Sequence, residues 1–230
     1  MSRARVWFIG GGPGAPDLLT LRGAEAIAEA DVVIWGRNLL MEETVTRHAR
    51  EDAELLPWPP ATMEELLGAY DRAKEGDLVV ARLVGGDPAV YVKLGDELDR
   101  VRELGLPHEI VPGVGSLGAA AAALGGELVT AGTEQALILV PRGGSVEELA
   151  RHGATMTVYM AGDRPRELQA ELLAGGYPPE TSCAVVHRVS WPDEEVFRCR
   201  LEELGERVEG GGLERHTLII LGPGVPGSAG

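Results

Sequence analysis

Basic residues are scarce in this sequence: 21 Lys and Arg stand against 36 Asp and Glu, a formal net charge of −15. Non-specific nucleic-acid binding needs a basic footprint, so no nucleic-acid partner is expected. An anionic small molecule would need a local arginine cluster working against the field of the whole chain. Cysteine is nearly absent. Cys183 and Cys199 are the two present, and neither lies in a C-x-x-C pair or a Cys/His cluster. Metal binding is therefore not expected, and both read as reduced, largely buried thiols. No apolar run is long enough to cross a bilayer, so no membrane partner is expected. Met1–Arg5 carries two positive charges, but the apolar run Val6–Ile9 is too short for a signal-peptide core. A cytoplasmic location is the expectation. Aromatic residues make up only 4%, whereas the chain holds 32 Gly and 15 Pro, which favours short loops and sharp turns.

The first half alternates apolar runs with helix-forming segments. Val6–Ile9, Val32–Trp35, Leu78–Val84 and His108–Val111 read as strands stopped by Gly, Pro or Arg. Leu19–Ala30, Met63–Glu75, Val90–Leu104 and Ser116–Leu124 read as helices, with Asp17 or Thr20 as caps for the first and Gly76 and Gly105 closing the next two. This alternation predicts an α/β fold with a mainly parallel sheet. A ligand would lie beyond the carboxyl ends of its strands, where three Gly-rich turns fall, at 10–14, 85–88 and 112–116. After Gly125-Gly126 the pattern changes. The runs Ala136–Val140, Thr155–Met160, Ala184–Val189, Val196–Cys199 and Thr217–Leu221 predict a mixed sheet, with a hairpin across Ser190–Glu195. Two α/β domains are expected, 1–128 and 129–230, followed by a Gly/Pro-rich tail.

Each turn has more than one reading. Gly10-Gly11-Gly12-Pro13-Gly14-Ala15 fits the G-x-G-x-x-A dinucleotide fingerprint. Pro13 and Pro16 delay the helix that would hold the pyrophosphate, and Val32–Trp35 ends in Gly36-Arg37, not in the acid a ribose requires. A nicotinamide oxidoreductase and a bare strand-to-helix turn both stay open. Gly85-Gly86-Asp87-Pro88 can be an Asp N-cap with Pro at the first helical position, but that role does not require the two glycines. They suit a close approach of backbone to ligand. Val111-Pro112-Gly113-Val114-Gly115-Ser116 is either a capped turn or part of the same edge. The five histidines are scattered. His187 and Arg188, just before the proposed hairpin, are the best site pair among them. Met156 and Met160 read as core.

Taken together, the chain resembles the tetrapyrrole methyltransferase family. The resemblance rests on Phe8–Thr20, Ala30–Trp35, Gly85–Pro88, Val111–Ser116, His152–Met156, Gly176–Pro179, Arg188–Glu194 and Leu218–Gly222, in that order over nearly the whole chain. It implies two α/β domains with a ligand cleft between them and a homodimer, with S-adenosyl-L-methionine as methyl donor. By position, Gly85, Gly86, Asp87, Val90, Gly115, Ser116, Met160, Val189, Thr217 and Leu218 would contact the donor. Gly12, Pro13 and Gly14, with Arg37, Arg142 and Arg188 for its carboxylates, would face an anionic tetrapyrrole substrate. Asp87 and Pro13 would lie at the reacting centre. The implied reaction is C-methylation of a precorrin in cobalamin biosynthesis, and three of the segments, His152–Met156, Gly176–Pro179 and Ser190–Glu194, point to position C11. A longer loop is usual in the family where this chain has only Pro141–Ser145, and Trp35-Gly36-Arg37-Asn38 also departs from the usual small-residue stretch. Other ring positions, the uroporphyrinogen stage, an acceptor such as diphthine and a non-catalytic ligand-binding role remain alternatives.

Overall fold

The computed structural model describes residues 2–130, 136–209 and 211–227. By contacts it divides into two compact units, Met1–Ser116 and Leu117–Gly230.

The first unit is a five-stranded sheet of β1 (Arg5–Gly10), β2 (Val32–Gly36), β3 (Glu54–Trp58), β4 (Val79–Val84) and β5 (His108–Val111), in the order β3-β2-β4-β1-β5. Every pairing is parallel. Four helices cover it: α1 (Leu21–Glu29), α2 (Glu43–Thr46), α3 (Met63–Gly76) and α4 (Gly95–Glu103). Both faces are buried, which is why β1 and β2 read as unbroken apolar runs and β4 is interrupted only by Arg82. Phe8, Ile34 and Val80 share one core with Leu66 and Tyr70 of α3 and Val101 of α4. Ile9, Val33 and Leu83, one residue out of step, share the other with Ile27 of α1 and Val45 of α2.

Both α1 and α3 begin where side-chain chemistry tells them to. Thr20 accepts a bond from the Gly23 N–H at 3.1 Å, so Thr20, not Asp17, caps α1. Thr62 and Glu65 form a reciprocal capping box on α3. Strand β3 was not legible in the sequence. It sits at the sheet edge, where Pro57 costs no ladder bond on the open side.

A buried ion pair fastens β4 to α4. Arg82 Nε and Nη2 donate to the two oxygens of Glu97 at 2.8 and 3.0 Å, and Tyr70 Oη donates to the same carboxylate at 2.6 Å. Burial, reinforced by the Glu97 charge, pushes the Tyr70 phenol far above its ordinary value, so it remains a donor.

The second unit is a mixed sheet of β6 (Leu137–Val140), β7 (Thr155–Tyr159), β8 (Ser182–His187), β9 (Glu195–Arg200) and β10 (Thr217–Leu221), in the order β6-β7-β10-β8-β9. Only β6 and β7 pair in parallel. The expected hairpin is present: β8 and β9 run antiparallel, with His187 opposite Glu195. Helices α6 (Val146–Ala150), α7 (Pro165–Ala174) and α8 (Leu204–Glu209) bury one face together with Met156, Val185 and Ile219.

The alanine-rich α5 (Ser116–Leu124) lies on the other face of this second sheet, against Ala184, Val186, Leu218 and Ile220. Its small residues allow that close approach. For this reason the contact division falls at Ser116/Leu117, ahead of the 128/129 boundary read from composition. The core role expected for Met156 holds. Met160 lies just past β7 with φ 52°, outside the strand that the sequence suggested.

Candidate active site

The carboxyl ends of β1, β4 and β5 release the three Gly-rich turns, and within the first unit these turns interlock. Gly12 and Gly86 exchange backbone bonds, Gly86 N to Gly12 O at 2.7 Å and Gly12 N to Gly86 O at 3.3 Å. Gly11 N donates to Val84 O at 2.8 Å. A β-carbon on Gly10 would stand 2.5 Å from Gly113 Cα, and one on Gly113 would stand 2.7 Å from Gly10 Cα. These two glycines are required because backbone meets backbone.

The neighbouring glycines are glycine for a different reason. Gly86 has φ 69°, a conformation that disfavours a side chain, but a β-carbon there would find nothing nearer than Ser116 N at 3.7 Å. Gly115 does not adopt a positive φ, and its β-carbon would meet only Asp87 Cβ, at 3.8 Å. The fold does not demand glycine at 115. The bare, open backbone at Gly86 and Gly115 is a cradle that side chains would fill, which is how a chain makes room for a ligand.

Asp87 stands at this cradle, and its surroundings correct the reading of Gly85–Pro88 as a helix start. No helix begins at Pro88. Asp87 Oδ1 accepts from Ala89 N at 2.8 Å, Val90 N donates to Asp87 O at 3.2 Å, and α4 opens only at Gly95. The expected helix Val90–Leu104 thus loses its first turn to a loop in which Tyr91 has φ 56°. Asp87 is therefore not used up as a helix cap. Val90 and Tyr91 are exposed beside it, and Leu39 packs on Gly85, 3.0 Å from where its β-carbon would be. Arg37, on the turn after β2, has no ion pair among the described residues. Pro13 and Gly14 lie on the turn that carries Gly12.

The second unit carries the other residues named from the sequence. Met160 N donates to Thr217 O at 3.0 Å and Arg188 N to His216 O at 2.9 Å, so the ends of β7, β8 and β10 are tied together. Met160, Arg188, Ser190 and His216 all have positive φ, between 47° and 65°. Non-glycine residues held this way cluster at functional sites, because the strain persists only where the surroundings impose it. The sequence carries no signal for such backbone angles, and Ser190 and His216 were not singled out from it. Arg188 lies 4.1 Å above the Trp191 ring and bonds Asp193 Oδ1 at 2.7 Å. That bond holds the Asp193 carboxyl below its usual range. Arg142 is paired with Asp163. Val189 is buried in the core beneath α5, and so is the Leu218 side chain, which leaves only their backbones to meet a ligand.

The chain is similar to known proteins over nearly its whole length. The family model of the tetrapyrrole (corrin/porphyrin) methylases matches residues 5–205. A cobalt-precorrin-4 C(11)-methyltransferase of Methanocaldococcus jannaschii is 34% identical over 95% of this chain and 87% of its own length. A precorrin-4 C(11)-methyltransferase of Pseudomonas aeruginosa is 35% identical over 94% of this chain and 89% of its own. The solved structure of a cobalt precorrin-4 methyltransferase superposes with a TM-score of 0.90 at 31% identity, covering 97% of each chain. That of a uroporphyrin-III C-methyl transferase of Thermus thermophilus, complexed with S-adenyl homocysteine, gives 0.79 at 32%, covering 96% of this chain and 98% of that one. The fold and its interlocked glycine turns thus define a two-unit α/β methyltransferase. The chain belongs to the tetrapyrrole (corrin/porphyrin) methylases.

Proposed function

We propose that this protein transfers the methyl group of S-adenosyl-L-methionine to C11 of precorrin-4 or cobalt-precorrin-4 in cobalamin biosynthesis. One observation carries the site: Gly115 is glycine where the fold leaves ample room for a side chain, beside Gly86 and Asp87. An open backbone there suits the methyl donor, and the relatives named for C11 methylation favour that position over the uroporphyrinogen stage.

The donor-contacting residues are Gly85, Gly86, Asp87, Val90, Gly115 and Ser116 in the first unit. In the second they are Met160, Thr217 and the backbones of Val189 and Leu218. The donor supplies an activated methyl group, so the protein's task is mainly to hold the two reactants in line. Asp87, with Oδ2 unpartnered among the described residues, is placed to orient a reactant or accept a proton. Gly12, Pro13 and Gly14 face the tetrapyrrole. Arg37 is ready to bind a substrate carboxylate, whereas Arg142 and Arg188 must first exchange Asp163 and Asp193 for it. A cytoplasmic homodimer of two-domain subunits, divided near residue 128, completes the proposal.

The test is mass spectrometry and NMR of the product formed from a labelled methyl donor and a panel of tetrapyrroles. Label at C11 of precorrin-4 is the expected result. Label at another ring carbon, or only on uroporphyrinogen, overturns it. Calorimetry with S-adenosylhomocysteine tests the donor separately, and no binding at millimolar ligand refutes it.

A further inference from the structure

His187 closes β8 and lies opposite Thr217 of β10. Its Nδ1 is 2.9 Å from Thr217 Oγ. The Thr217 hydroxyl has a single proton, and its neighbours Leu213 O at 2.6 Å and Arg215 O at 3.4 Å are carbonyls that can only accept. That proton therefore points to Leu213, and the bond from the imidazole must run from Nδ1–H to Thr217 Oγ. The ring is thereby fixed as the Nδ1–H tautomer, with the lone pair on Nε2.

No partner for Nε2 exists among the described residues, although the ring is partly buried. This free acceptor sits within the strained knot of Met160, Arg188 and His216 that ties β7, β8 and β10 together. The ring is only partly buried, so Nε2 is presented as an acceptor open to solvent and to a ligand.

We propose that His187 is a donor-binding residue, whose Nε2 accepts a hydrogen bond from a hydroxyl or amino group of the S-adenosyl ligand while Thr217 and the Leu213 carbonyl hold its tautomer. The proposal rests on the reading that Met160, Val189 and Thr217 contact the methyl donor. It adds a residue that neither composition nor motif spacing assigned to that role.

The groups around the ring set its charge. Burial and Arg188 lower its pKa, while Glu195, opposite on β9, and Asp193 oppose them; His216 is a second titrating neighbour. The ring is neutral at pH 7 and gains a proton only below the ordinary histidine value of about 6.5. Protonated Nε2 becomes a donor and can no longer accept. Ligand affinity should therefore be full near pH 7 and fall as the pH drops toward 5.

Calorimetry with S-adenosylhomocysteine, whose own groups do not titrate in that window, reads this directly on the full chain. Wild-type affinity is expected to fall several-fold from pH 7 to pH 5 as the ring takes up its proton. His187→Phe should bind about five-fold more weakly at pH 7, the worth of one hydrogen bond, and show no pH slope. His187→Gln can place Oε1 near the Nε2 position, so it should restore the affinity but not the slope. Thermal melting checks that each variant folds, and if the phenylalanine variant does not, the flat slope of the glutamine variant decides. Wild-type affinity in His187→Phe overturns the proposal. So does a persisting slope, which would place the titration at His216. A wild-type protein that binds no S-adenosylhomocysteine refutes the donor reading itself, and this role with it.

Discussion

Two alanine substitutions, Gly113→Ala and Gly86→Ala, separate the glycines that the fold needs from those a ligand needs. In Gly113→Ala the new methyl would stand 2.7 Å from Gly10 Cα and 2.9 Å from Gly10 C, and nearer still to the Gly86 carbonyl oxygen. Every one of these neighbours is backbone, so no side chain can swing aside. Relief requires β1 and β5 to part at their carboxyl ends by most of an ångström. Overpacking of this kind costs about 3 kcal/mol, the upper end of its usual range. With a urea dependence of about 2 kcal/mol per molar, the midpoint should fall by roughly 1.5 M.

Gly86→Ala meets nothing closer than 3.7 Å and pays only for its φ of 69°, about 1 kcal/mol. Its midpoint should fall by roughly 0.5 M. The ligand results should run the other way in proportion. Gly86→Ala, still well folded, places a methyl in the open cradle and should weaken S-adenosylhomocysteine binding by at least ten-fold in calorimetry. If Gly113→Ala is as stable as wild type, or if Gly86→Ala binds the ligand normally, the distinction between the two kinds of glycine is wrong.

Asp87→Ala should keep the melting temperature within a few degrees and lose most methyl transfer; unchanged turnover would remove Asp87 from the site. Glu97→Gln should destabilise the protein by about 3–5 kcal/mol in denaturant titration, because it leaves the Arg82 guanidinium buried without its counter-charge. Cys183 and Cys199 should remain reduced in oxidised glutathione, as intact-mass analysis would show. Leu201 N donates to Thr181 O, and counting along the register makes Cys183 and Cys199 a hydrogen-bonded cross-strand pair. In such a pair the β-carbons stand at the wide end of the cross-strand range, about 5.5 Å, beyond the span of an unstrained disulfide. Burial also raises the Cys199 thiol to about 11, well away from the reactive thiolate. Thr62→Ala should cost about 1 kcal/mol through the lost cap of α3. Bonds from Thr62 lower the Glu65 pKa, so that part of the stability is complete above the ordinary carboxylate value and is lost as the pH falls through the lowered one. Thermal melts of wild type and Glu65→Gln between pH 7 and pH 3 would show it, and an equal loss in both would refute it.

Much of the fold could be read from the chain. Buried parallel strands appear as short apolar runs such as Val6–Ile9 and Val32–Trp35, and the Gly/Pro punctuation placed the three turns at the carboxyl ends. What the local pattern misjudged were segments whose fate is set by distant partners. Glu54–Trp58 looks too short and too broken by Pro57 to be a strand, which an edge position tolerates. Pro88–Leu94 looks helical, yet the turns around Asp87 hold it open.

The same division runs through the site. Composition argued against a nucleic-acid role, and the joint order of the motifs identified the family. Sequence alone could not tell Gly10 and Gly113, packed backbone to backbone, from Gly86 and Gly115, which face open space. Nor could it give His187 a tautomer, since that depends on Thr217 and Leu213, far along the chain. A residue's type and spacing are written in one dimension, whereas which atoms touch it is decided only when strands from distant parts of the sequence come together.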